Sequence, residues 1–86
     1  MNTNVSNKFN GKSVANQFII TTADGQMFKS YESNIAFVAN DGKITLGKDW
    51  KYSKTTTKYL NIFLNMTSKE ILKAIQDNEI IIDESL

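Results

Sequence analysis

The stretch at residues 34–47, NIAFVANDGKITLG, decides the fold. Asp41-Gly42 is a turn dipeptide, because a type I′ turn needs positive φ at both central positions and these residues tolerate it. A two-residue loop there sets Ala39 opposite Ile44 and Phe37 opposite Leu46. Ile35 falls on the same face, while Val38 and Thr45 point the other way. One face is then apolar on both strands, as a sheet packed on one side requires.

Upstream, residues 16–31 read NQFIITTADGQMFKSY and repeat the signal with Asp24-Gly25. Pairing across that dipeptide places Phe18 opposite Tyr31 and Ile20 opposite Lys29. Lys29 is a misfit on this face, so either the register is bulged or the side chain snorkels from an edge. Residues 1–12 hold four asparagines and only the isolated apolar residues Val5 and Phe9. They are expected to be a flexible tail, with an ordered edge strand as the alternative, leaving 13–86 as a single domain.

Downstream the period lengthens. Between Thr55 and Asn65, Tyr59 and Phe63 stack at i, i+4, and Leu60, Ile62 and Leu64 widen the apolar side. Lys54, Lys58, Asn61 and Asn65 fall on the opposite face, and Ser53 or Thr55 can cap the start. TSKEILKAIQDN follows, a second helix with a capping box: Thr67 precedes Glu70 by three, ahead of Ile71, Leu72 and Ile75. Asn78 suits the left-handed position that ends it. Ile80–Ile82 is a β-rich apolar run, either a last strand or a tail docked on the sheet. The expected fold is therefore α+β: an antiparallel sheet of two β-hairpins, with room for a fifth C-terminal strand, and two short helices packed on one face.

Composition narrows the chemistry. The chain has 86 residues, 41% hydrophobic and 22% charged, ordinary values for a small soluble domain. No apolar run approaches a membrane span, and the start MNTNVSNKFNGK has no secretory h-region, so a cytoplasmic location is expected. Cysteine and histidine are both absent. That excludes thiolate nucleophiles, disulfides, nearly every zinc or iron site and the usual general base near neutral pH. No acids are spaced as in a calcium loop, and no glycine-rich phosphate loop exists. Ser30, Ser33 and Ser53 have no histidine to activate them. No enzyme activity, metal or cofactor is expected.

Net charge is +1 but unevenly spread. Residues 43–68 carry five lysines against Asp49 alone, and residues 69–86 carry two lysines against five acids. The basic part includes GKDWKYSKTTTKYLNIFL, residues 47–64. Lys48, Lys51, Lys54 and Lys58, interleaved with Trp50 and Tyr52, fit a surface for single-stranded nucleic acid: cations for phosphate, aromatic faces for bases. Without arginine such binding would be weakly sequence-specific. The plainer alternative buries Tyr59 with Phe63, uses Trp50 to seal the sheet edge and leaves the lysines solvated.

FKSYESNIA (28–36), GKITL (42–46), WKYSKTTTKY (50–59), FL (63–64) and KE (69–70) also occur in an order that resembles an uncharacterised family of small bacteriophage and mobile-element proteins. Its pattern has the shape F-x-S-Y-x-S-x-I-A, then W-x-Y-S-x-T-T-x-K-Y, and the likeness covers roughly residues 28–80. Lys51 stands where that family commonly has an acid, and Leu60 where it commonly has a base. The resemblance implies a phage or mobile-element origin and no particular activity. With that origin, the expected function is a small binding protein that blunts a host defence or nucleic-acid-handling complex, as anti-CRISPR and anti-restriction inhibitors do. Trp50, Tyr52 and Tyr31 would be its anchors, with Lys51 and Lys54 for steering, against a host protein or ribonucleoprotein. The alternative is a nucleic-acid-binding accessory protein using segment 48–58, and a third reading is an edge-pairing homodimer.

Overall fold

A computed structural model describes residues 4–51 and 53–86. In chain order the elements are β1 (Asn4–Ser6), β2 (Lys8–Phe9), β3 (Lys12–Ser13), β4 (Gln17–Thr22), β5 (Gly25–Ser30), β6 (Ser33–Ala39) and β7 (Ile44–Leu46). Then come α1 (Lys54–Leu64), α2 (Ser68–Gln76) and β8 (Ile80–Ile82). Six strands form one sheet in the order β1-β4-β5-β6-β7-β8, and β2 and β3 form a separate ribbon. Neighbours in the sheet are antiparallel except β7 and β8, which are parallel. A parallel pair cannot be joined by a tight turn, and α1 and α2 supply the crossover.

This overturns the expected α+β sheet of two hairpins. The described chain is mostly β, with eight strands in a six-stranded mixed sheet and a two-stranded sheet. Ile80–Ile82 is the C-terminal strand the sequence left room for, and the additional strands β1, β2 and β3 are two or three residues long, too short to show a period. From Asn4 onward the expected tail is strand: Val5 pairs with Ile20, and Phe9 is buried. The Phe9 ring meets Phe28 edge-on at 5.7 Å between centroids and Tyr59 at 5.1 Å. The ribbon turns on Asn10-Gly11, both at positive φ (53° and 78°), so the chain's Asn-Gly dipeptide makes the type I′ hairpin.

The two Asp-Gly sites turn differently. Thr22 pairs with Gly25, so the β4–β5 turn is Ala23-Asp24, and Phe18 faces Lys29 while Ile20 faces Met27. The Thr22 hydroxyl accepts from the Asp24 N–H (3.2 Å), which favours the turn one residue early. Between β6 and β7 the loop has three residues: Gly42 (φ 91°) donates to the Ala39 carbonyl, and Ala39 donates to the Lys43 carbonyl. The Asp41 carboxylate takes the Lys43 N–H (3.0 Å). That extra loop residue slips the register by one. Ala36 pairs with Leu46 and Val38 with Ile44, while Phe37 pairs with Thr45 on the other face. Ile35 still reaches the core, because a bulge between Phe28 and Lys29 sets both Ile35 and Ala36 against Phe28.

The core joins Phe28, Ile35, Ala36, Leu46 and Ile80 of the sheet to Phe9, Trp50, Leu60, Ile71 and Ala74. Ser53 caps α1, accepting from the Thr56 N–H, and Thr67 and Glu70 complete the capping box of α2. Asn65 (φ 54°) and Asn78 (φ 59°) take left-handed positions after the two helices.

Candidate functional site

Where β7 ends, the chain must pass close beneath β6. The Gly47 N–H donates to the Ile35 carbonyl (2.7 Å), and a Cβ at Gly47 would collide with the Asn34 carbonyl. The turn that follows drives Trp50 into the core, where it is 7% exposed. Lys51 lies across it, with Nζ 4.8 Å from the indole centroid. Ser53 then starts α1, whose first turn carries Lys54 and no acid. Lys54, Lys58 and Asn61 follow along one stripe, as the helical spacing requires.

An open groove of about 670 Å³ runs between this turn, α1 and α2. Trp50 and Leu72 contribute apolar floor, and Lys51, Lys54 and Lys58 line the rim beside Thr57, Asn61 and Ser68. No acid lines it. Among the described residues the one ion pair is Lys73–Asp77 (3.2 Å), so these three lysines are engaged by no carboxylate there. Lys54 and Lys58 sit in the N-terminal half of α1 and Lys51 just before it, near the positive end of its dipole, where a helix favours acids. Asn61 bridges the helices by donating from Nδ2 to Ser68 Oγ (3.2 Å), and its Oδ1 is buried without a partner.

The structure brings Trp50, Lys51, Lys54 and Lys58 together, but Trp50 serves as floor and not as an exposed anchor. Lys48 is exposed outside the groove lining. Tyr31 is 50% exposed and lines a different hollow with Ser33, Ser53 and Thr55. Tyr52 lies outside the described residues. Leu72 is the groove residue that sequence reasoning missed, having been expected in the core with Ile71 and Ile75. It is 42% exposed, because Ile71 and Ala74 occupy the inner face and position 72 lies one helical step from it.

Two carboxyls sit below their ordinary values, and neither lines the groove. Glu70 is held down by the Thr67 backbone N–H and then by the Thr67 hydroxyl, and Asp83 by the Ser85 hydroxyl and then its N–H. Among the described residues no three acids gather as a metal site would need, and no helix is long and apolar enough to cross a membrane.

The sequence model of a family of unknown function, DUF8033, matches residues 2–81. The chain belongs to that family. The DUF8033 match takes in the ribbon, both helices and the six-stranded sheet as far as Ile81 of β8, and so the entire groove. No curated protein and no solved structure matches the sequence.

Proposed function

We propose that this DUF8033 member is a small non-enzymatic binding protein of phage or mobile-element origin. It would act by occupying a surface of a host defence or nucleic-acid-handling complex, as an anti-CRISPR or anti-restriction inhibitor does. The observation that carries the reading is the groove: three lysines at and just before a helix N-terminus, engaged by no carboxylate among the described residues, over the apolar floor of Trp50 and Leu72. That chemistry suits an acidic strip on a protein partner with an apolar side chain to seat between the helices. The site is stiff before it binds, since Ser53 caps α1 and Trp50 is anchored in the core, which lowers the entropy cost of association. The origin rests on the sequence resemblance.

Direct nucleic-acid binding is the second reading, supported by the exposed Lys48, Lys51, Lys54 and Lys58. Trp50 is buried and Tyr59 packs on Phe9, so neither offers a free face for a base, and the contact would be mostly phosphate. The test has two arms on the same protein: affinity capture from host lysate, and anisotropy titrations of labelled single- and double-stranded DNA across a salt series. The expected result is a captured complex lost in both K54E/K58E and L72D, with only weak, salt-sensitive DNA binding. Tight DNA binding that L72D leaves intact would overturn the protein-partner reading. No captured complex and no DNA binding would remove both.

A further inference from the structure

The registers place one residue from each of six strands in a single row: Val5, Ile20, Met27, Phe37, Thr45 and Ile81. Residues opposite one another in a sheet share a face, and this face is the one turned away from Phe28, Ala36 and Leu46. The core gathers on the opposite side: Phe28 meets Phe63 of α1 and Phe9 of the ribbon, and Ile80 joins Ala74 of α2. Ile20, Met27 and Phe37 stay outside that core cluster and are half-buried, while Val5 and Ile81 are 58% and 62% exposed. A charge-free row thus crosses the whole sheet. Phe18 and Lys29 flank it on one side, and Ala39 and Lys43 on the other.

We propose that this row is the centre of a two-fold homodimer in which the sheets of two copies pack face to face. The proposal is independent of the lysine groove, which lies on the opposite side of the sheet. Area favours a second copy. Six strands about 4.8 Å apart, with central strands of six or seven residues rising about 3.4 Å each, make a face of roughly 24 by 20 Å. Two such faces bury on the order of 1,000 Å², the lower bound of a specific interface, and sheet-on-sheet packing is a standard way to fill it. Charge fixes the orientation. A two-fold axis along the row reverses the strand direction between copies. Lys29 near one end of β5 then lies over the turn at the other end of the second copy's β5, which carries Asp24.

The same axis sets residues at the middle of the row opposite themselves, so Met27 faces Met27. The chain has no cysteine, which makes thiol cross-linking clean. Met27→Cys is expected to be joined into a covalent dimer by a short bis-maleimide that spans the roughly 10 Å between packed sheets, whereas Leu72→Cys in the groove is not. Sedimentation velocity of the full chain from low micromolar to millimolar concentration is expected to show a monomer–dimer equilibrium. Ile81→Lys together with Val5→Lys should shift it to monomer, with an unchanged far-UV circular dichroism spectrum. A wild-type monomer at every concentration overturns the proposal, as does cross-linking of Leu72→Cys that matches Met27→Cys.

Discussion

Tyr31 carries a backbone cost at an exposed position. It holds φ at 53° in the two-residue turn between β5 and β6, a conformation that costs an aromatic residue about 1 kcal/mol or more. Tyr31→Asn is expected to raise unfolding stability by roughly 0.5–1 kcal/mol in urea titration, while weakening partner capture if the ring is an anchor. Thr56 is the opposite case. Its buried hydroxyl lies 3.0 Å from Ser30 Oγ and accepts from Ser53 Oγ at 3.2 Å. Thr56→Val strands Ser30 in the core and should cost about 1–3 kcal/mol. Paired with Ser30 across the β4–β5 ladder, Gln17 is fully buried, and neither amide atom has a hydrogen-bond partner. Gln17→Met is expected to raise stability by about 1–2 kcal/mol, read as a higher urea midpoint with an unchanged slope. None of these polar burials is legible in the sequence, where Gln17, Ser30 and Thr56 look like ordinary surface residues.

The helices are the elements most open to sequence reading, because their signals are local. The Thr67–Glu70 box, the Tyr59–Phe63 pair and the left-handed Asn78 all sit within one or two turns of the structure they specify. Strand register is less local. At 23–25 and 40–42, the choice between two Asp-Gly turn geometries depends on Thr22 and Asp41 side-chain hydrogen bonds, and on Asn40, whose Nδ2 donates to the Ala23 carbonyl across the two turns. That cross-link ties both hairpin tips at one end of the sheet. Two predictions belong here. Lys54→Glu places an acid in the first turn of α1 and should stabilise the helix by about 0.3–1 kcal/mol while abolishing groove binding; thermal melts and capture assays together check it. Glu70 has a lowered folded-state pKa, so its contribution is fully present above its unfolded pKa and is lost as pH falls through the folded one. Stability should therefore be flat near neutrality and decline in the acid carboxylate range, and Glu70→Ala should reduce that decline.

At the scale of the whole molecule, the sheet closes through its last strand. β8 lies parallel to β7 only after thirty-odd residues of turn and helix, so the pairing that completes the core is the most distant along the chain. Ile80, 3% exposed, should therefore be costly to truncate: Ile80→Ala is expected to lose about 2–5 kcal/mol in urea denaturation. The candidate groove was half legible for the same reason. Its lysines and tryptophan are contiguous in sequence, but its far wall comes from α2, and only the packing of α2 turns Leu72 outward. The stacking of Lys51 on Trp50 has an optical consequence. Trp50 is the chain's sole tryptophan, so its emission reports one site. An acidic guest that drew the ammonium off the indole would change the electric field along the ring and shift its fluorescence. The protein thus carries its own dye at the floor of the groove, and occupancy could be followed in unlabelled protein by light alone.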